Sequence, residues 1–439
     1  MTHRFALTGT SIVTGDAEGT VLSEHTILVD GAGKIEKVAP TADCSVPDGY
    51  RIIDASSRFV TPGLINAHAH LFSEGKPLPP ILLNESVEGL VAKVGHSPLG
   101  NLIFKRRARS NVITQLNSGV TTLRSLGDVR YEVVEVAAEI DRGDYPGPRI
   151  IASGPLLAAT GGHGAPQIAL ISDSPWEARR NVRANLRKGT KAIKIAATGG
   201  VTDARAIGEA GRPQLTEEEM TAICEEAHNT EVLVAAHAQS EEGIRRALRA
   251  GVDTIEHGAG MTDEIIELFQ HNPRSLHGTS ALIPTLTAAL PLIKLDPAVT
   301  GIDDVVLANG KMIYDEMIKG IADALANDIA IGMGTDSALT YVTHYNTWRE
   351  LDFAVRFGGL TPARALNAAT QTNARILGIA AQTGALAPGL SADLVVLDAN
   401  PLEGFRTLAQ PWLVAVKGTL IEHPTVTRFD DLDARLDTI

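Results

Sequence analysis

Between residues 59 and 379 the chain repeats one pattern eight times, a short apolar segment that reads as a strand followed by a stretch of helical character. The segments are Gly63–His68, Thr121–Leu126, Arg149–Ser153, Ala192–Ala196, Leu233–His237, Thr254–His257, Leu282–Leu286 and Ile329–Thr335. Eight such units in about 320 residues fit a (β/α)8, TIM-like barrel with insertions better than an open sheet. Among the helices, Thr216–Thr230 carries Glu217, Glu218 and Glu219 in its first turn behind a Thr216 cap. Ser240–Ala250 and Pro362–Leu377 are two more.

The two ends of the chain have another character. Ile27-Leu28-Val29 runs into Asp30-Gly31-Ala32-Gly33, and Lys34-Ile35-Glu36-Lys37-Val38 follows with strand-like alternation, which reads as a hairpin. Near the other end, Leu394–Leu397 and Trp412–Val416 are again short strands. Such strands pair only if the ends meet. The expected organisation is therefore a small β-sandwich domain, discontinuous in sequence, from residues 1–58 and 380–439, around a barrel at 59–379.

Composition excludes several classes. The first residues lack a basic region followed by an apolar stretch, so no secretory signal is expected. No apolar run reaches the roughly 18 to 20 residues of a membrane helix, so no membrane partner is expected. Two cysteines, Cys44 and Cys224, make no disulfide framework and suit a reducing cytoplasm. A net charge of −13 argues against nucleic acid as a partner.

The polar residues at the strand ends carry the chemistry. His68 and His70 lie two apart in an extended segment and so point the same way. His237, His257 and Asp336 stand at the ends of the fifth, sixth and eighth segments, the face where barrel enzymes place their active sites. Each of these residues alone has an ordinary explanation: an incidental His-X-His pair, a hydrogen-bonded core histidine, a helix-capping aspartate. All five at barrel-facing strand ends point to a metal site.

Lys194 lies between Ile193 and Ile195, where an ammonium is costly to bury and its pKa falls. A neutral amine beside a divalent cation can add CO2, and the resulting carbamate offers two oxygens that can bridge two metals. The ordinary alternative is a lysine paired with an acidic neighbour.

Gly63-Leu64-Ile65-Asn66-Ala67-His68-Ala69-His70, Lys194-Ile195-Ala196-Ala197-Thr198-Gly199-Gly200-Val201, the two later histidines and Asp336 together resemble the amidohydrolase superfamily. Thr383–Gly389 and Ala392–Leu397 resemble its return to the β domain. Within it the chain looks closest to the imidazolonepropionase-like and prolidase-like branch, which includes metal-dependent dipeptidases. The resemblance implies two divalent ions, with zinc the expected identity. It places His68, His70 and Asp336 on the more buried one, His237 and His257 on the other, and carboxylated Lys194 between them. One departure stands out: Ser125 occupies a position where relatives commonly carry aspartate.

The expected reaction is hydrolysis of an amide C–N bond in a dipeptide or N-acyl amino acid. A metal-bound water ionises near neutral pH, and Asp336 moves its proton to the leaving nitrogen. His163, in the glycine-rich loop after the third strand, is expected to contact substrate or polarise its carbonyl. Arg205 and Arg212, after the fourth, are candidates to hold a substrate carboxylate, with solvated surface arginines the equal alternative. Glu256 alternates away from His257 and is expected to face the helices. His344 stays open; His3, His25, His96, His228, His271, His277 and His423 are read as ordinary. A one-metal site hydrolysing a cyclic amide or deaminating a heterocycle is the second reading, which Lys194 speaks against. A non-catalytic scaffold is the third, which the complete ligand set speaks against. A homo-oligomer is expected.

Overall fold

The computed structural model describes residues 4–77 and 92–439; His3 lies outside them. Its strands are β1 (Phe5–Val13), β2 (Val21–Val29), β3 (Ile35–Pro40), β4 (Arg51–Asp54), β5 (Phe59–Pro62), β6 (Leu64–Ala69), β7 (Val120–Ser125), β8 (Arg149–Ala152), β9 (Leu156–Ala158), β10 (Ala169–Ile171), β11 (Ala192–Ala196), β12 (Leu233–Ala238), β13 (Thr254–His257), β14 (Ala281–Ile283), β15 (Leu394–Leu397), β16 (Leu413–Val416) and β17 (Thr419–Glu422). No described helix is long and apolar enough to cross a membrane.

The chain ends do meet. One eight-stranded sheet runs β17-β16-β15-β5-β1-β2-β3, with β4 also paired to β1. The expected hairpin joins β2 to β3: Asp30 Oδ1 accepts from the Ala32 and Lys34 amides at 2.8 Å, which pins the turn. Gly33 sits there at φ +77°, and a Cβ on it would stand 2.2 Å from the Lys417 carbonyl oxygen, so the N-terminal turn touches the C-terminal one. Strands β15 and β16 of this sheet are buried on both sides. Leu394, Val396, Leu413 and Ala415 join Phe5, Leu7 and Ile27 in one core. The alternate residues Val395, Leu397, Val414 and Val416 pack into the main core with Leu64 and Leu123. A period of two over a strand apolar at every position produces this division.

The main body is α/β. Strands β6-β7-β8 and β10-β9-β11-β12-β13-β14 form two parallel sheets. The Lys191 amide donates to Ala152 O at 2.8 Å between them. On the other side, residues 330–335 lie between β14 and β6: Gly332 N donates to Leu282 O, and Ala67 N donates to Met333 O, both at 2.9 Å.

Two strand expectations need correction. Ile329–Thr335 forms only one isolated bridge, Ile331 to Leu282, because the Asn373 amide comes between Met333 and Ile65: its Oδ1 accepts from Met333 N at 3.2 Å and its Nδ2 donates to Ile65 O at 2.6 Å. The seventh strand stops at Ile283, since Thr285 turns to φ +59° and Leu286 begins a helix. The helix expectations hold more closely. Glu217–His228 carries a full capping box between Thr216 and Glu219. Ser240 caps Glu241–Ala250. Pro362–Ile376 is helical with one π turn at Ala368–Thr372.

Candidate metal centre

Every residue of β6 is buried; His68 within it and His70 just past its end, two residues on, turn to one side. Both reach Asp336: His68 Nε2 stands 3.3 Å and His70 Nε2 3.0 Å from its Oδ1. Asp336 adopts φ +56° and His257 φ +73°, left-handed backbone that carries a conformational cost and tends to be kept at functional sites. Among the described residues, His68, His257 and Asp336 each present a donor atom, all within 4.8 Å of one another.

The outward nitrogens are occupied. His68 Nδ1 pairs with Glu256 Oε2 at 2.7 Å, His70 Nδ1 with Gly127 O at 3.2 Å, and His257 Nδ1 with Thr285 Oγ1 at 2.7 Å. Because a carboxylate and a carbonyl can only accept, they fix the His68 and His70 tautomers and leave Nε2 for a ligand, while the Thr285 hydroxyl holds the His257 ring in place. Burial lowers His68 well below the ordinary histidine range and His257 to about 4. Burial alone would raise the Asp336 carboxyl, but the His68 and His70 rings hold it far below its usual range. Neutral His68 and His257 rings beside an ionised carboxylate are the protonation state that metal binding requires, so the donor set fits a divalent ion.

Lys194, on β11, is 2% exposed, and among the described residues its Nζ has no hydrogen-bond partner. Burial lowers it to about 8, against the pull of Glu256 and Asp336. Glu256 itself corrects the expectation that it faces the helices. The left-handed turn at His257 breaks the alternation, and both neighbours turn toward the site. Glu256 is fully buried, accepting from Arg124 Nη2 at 2.8 Å as well as contacting His68. Arg124 also donates to Ala67 O and Thr254 Oγ1. A second buried carboxylate, Glu350, accepts from the Leu286 and Thr287 amides and so steadies the turn that presents Thr285 to His257. The departure at Ser125 is absorbed locally, its hydroxyl donating to Asp128 Oδ1 at 3.0 Å.

Above this floor lies a cavity of about 450 Å3, lined by His68, His70, Lys194, His237, His257 and Asp336 and walled by apolar side chains such as Phe72, Phe104, Ile168 and Met317. His237 Nε2 stands 3.3 Å from Gly199 O, and its ring stacks on His163 with centroids 4.0 Å apart. His163 lines the cavity, with Nδ1 against Asp203. The structure does not bring Arg205 or Arg212 to the cavity lining. The Arg212 carbonyl accepts from Gly199 N beside the antiparallel Thr198–Pro213 bridge, and its side chain is 67% exposed; Arg205 is exposed as well. The guanidinium that does line the cavity is Arg107, whose Nη1 donates to Phe72 O at 3.0 Å. His344 is resolved as a buried structural group, held by Ser73 O at 2.7 Å and Gln115 Nε2 at 3.2 Å.

The sequence reading missed Glu256, Asp203 and Arg107. Only Glu256 had a signal: Arg124 sits in a strand too apolar to leave a guanidinium without a buried acid.

These features define a class: an α/β protein with a metal-ready donor cluster set at the ends of parallel strands beneath an apolar cavity. The chain belongs to the Amidohydrolase family, which it matches over residues 59–421. It is similar over 100% of its length to the crystal structure of a candidate prolidase from Bifidobacterium longum, at 49% identity and a TM-score of 0.88, covering 99% of that chain. A Xaa-Pro dipeptidase crystallised with methionine in its active site is 26% identical over 95% of this chain and 100% of its own, with a TM-score of 0.80. The ochratoxinase of Aspergillus niger is 30% identical over 67% of this chain, and the match spans 63% of that protein's length.

Proposed function

We propose that the chain is a binuclear metal-dependent hydrolase that cleaves the amide C–N bond of a dipeptide or N-acyl amino acid carrying an apolar side chain. The observation that carries this reading is the convergence of the His68 and His70 Nε2 atoms on Asp336, beside a buried Lys194 amine with no hydrogen-bond partner among the described residues. His68, His70 and Asp336 would hold one ion and His237 and His257 the other, with Lys194 as a carbamate between them. The neutral Lys194 amine forms an N–C bond to CO2 and releases one N–H proton. Divalent ions held there supply Lewis acidity toward water and a carbonyl oxygen. Asp336 takes a proton from the attacking water and returns it to the leaving nitrogen, so that a C–O bond forms at the carbonyl carbon as the C–N bond breaks and the amine leaves neutral. His163 orients the substrate from the rim, and the apolar walls exclude bulk water from the scissile bond.

The likeness to a Xaa-Pro dipeptidase and to a candidate prolidase supports a dipeptide substrate. We read the two parallel sheets and residues 330–335 as one (β/α)8 barrel over 59–379, and the terminal sheet as a folded β sandwich from 1–58 and 380–439. A cytoplasmic homo-oligomer completes the reading.

The test pairs a hydrolysis screen with metal counting. Zinc-loaded protein should turn over dipeptides or N-acyl amino acids with apolar side chains and hold about two ions per chain. Lys194→Ala should lose metal and activity together. A fully active Lys194→Ala protein with one ion would overturn the binuclear reading.

A further inference from the structure

We infer that Asp203 is a positioning residue that aims His163 into the cavity, and that Gly200 is the seat on which the His163 ring lies. The inference rests on the reading of His163 as a substrate-contacting group. His163 belongs to the excursion between β9 and β10, whereas Gly200 and Asp203 follow β11. Three contacts tie the two loops. His163 N donates to Gln214 Oε1 at 2.9 Å. The His163 ring engages Asp203 Oδ2 through Nδ1. The same ring packs so closely on Gly200 that an added Cβ would stand 2.5 Å from Nδ1, 2.7 Å from Cε1 and 3.0 Å from Asp203 Oδ2. Gly200 is not among the glycines at positive φ, so backbone conformation does not call for glycine there. Room for the ring does.

Stacking on His237, at an interplanar angle of 23°, sets the ring plane. The Asp203 contact settles which way round the ring sits, since a flip would exchange Nδ1 for a carbon. The nitrogen left to address substrate is Nε2. This is the logic by which a carboxylate fixes a working imidazole from behind. The Asp203 side chain is 40% exposed and that of His163 is 23% exposed. A contact so solvated adds little to folding, so its worth lies in orientation.

The experiment compares Asp203→Ala in the wild-type and His163→Ala backgrounds of the zinc-loaded protein. Asp203→Ala should lower kcat/KM roughly tenfold to a hundredfold, with metal content and Tm unchanged. In the His163→Ala background the same substitution should change kcat/KM less than about twofold, because coupled residues are not additive. Equal losses in both backgrounds would overturn the inference. A second readout needs no substrate: 15N-histidine spectra, with the His163 signal assigned by its loss in His163→Ala. The wild type should show one tautomer, protonated at Nδ1, and Asp203→Ala should shift it toward a mixture. An unchanged signal refutes the positioning role. If no amide is hydrolysed at all, the proposed function fails while this spectrum still decides the role of Asp203.

Discussion

His68 on the floor of the cavity and His163 on its rim are both held from behind by a carboxylate, but in different surroundings. The His68 side chain is 1% exposed and its partner Glu256 fully buried; the His163 side chain is 23% exposed and its partner Asp203 40%. Glu256 is in turn clamped by Arg124, itself buried in β7. Floor contacts therefore belong to the core as much as to the chemistry. Rim contacts are solvated pairs whose loss leaves the fold intact. A floor substitution should disturb stability, metal and turnover together, and a rim substitution turnover alone.

Asp336→Asn is the floor variant with the largest expected effect. It keeps the shape and one oxygen but removes the proton acceptor, so kcat should fall by about 10²- to 10⁴-fold with at least one ion still bound. Steady-state kinetics alongside elemental analysis checks both. Near-normal turnover would remove Asp336 from the mechanism.

Glu256→Gln tests whether the floor is core and site at once. It leaves the Arg124 guanidinium buried without a counter-charge, a change expected to cost about 3–5 kcal/mol of stability. It also weakens the fixed orientation of His68, so metal affinity should drop roughly 10- to 100-fold. Denaturant unfolding and a metal titration read the two effects. Lost metal affinity with unchanged stability would separate what the comparison joins.

The same contrast governs what the sequence could disclose. The floor was legible because strands have a period: His68 and His70 two apart must share a side, and Lys194 between isoleucines must be buried. Glu256 escaped because the period fails where His257 turns to φ +73°, and no residue type announces that bend. The eighth strand was legible as position but not as structure, since Asn373, far along the chain, inserts its amide between Met333 N and Ile65 O, where a ladder bond would have run. On the rim there is no period. Arg205 and Arg212 lie next to the Gly-Gly element in sequence, yet the turn there points them outward, while Arg107 arrives from a distant helix, Pro98–Asn117.

Glu350 offers a pH test of the floor. Burial pushes its carboxyl up to about 7 from an ordinary value of 4.5, although the Thr287 hydroxyl and the Thr287 and Leu286 amides pull the other way. With the folded value raised, the folded state holds the proton more tightly than the unfolded one. The group's contribution is then complete below the unfolded value and lost as pH rises through the folded one. Unfolding free energy should decline between about pH 4.5 and 7 by on the order of 3 kcal/mol. Glu350→Gln should flatten that slope, as denaturant series at several pH values would show. An identical slope in the variant would assign the dependence elsewhere.

The smallest effects are expected on the rim, where three arginines can be ranked. Arg107 lines the cavity and spends one N–H on Phe72 O, and a guanidinium has five N–H donors in all. A carboxylate on the substrate can therefore bond to it without disturbing the Phe72 contact. Arg107→Ala should raise KM roughly tenfold for a substrate with a free carboxylate, the loss of one charged hydrogen bond, with kcat, Tm and metal content unchanged. The matching amide-blocked substrate should show no change. Arg205→Ala and Arg212→Ala should each alter kcat/KM less than about twofold and stability by no more than about 0.5 kcal/mol. The Arg212 side chain is 67% exposed and faces Glu209 at 3.8 Å, a solvated pair with little energy in it. If Arg212→Ala raised KM and Arg107→Ala did not, the loop after β11 would have to close over the substrate. The rim would then need describing as a moving part rather than the fixed edge that its contacts to His163 suggest.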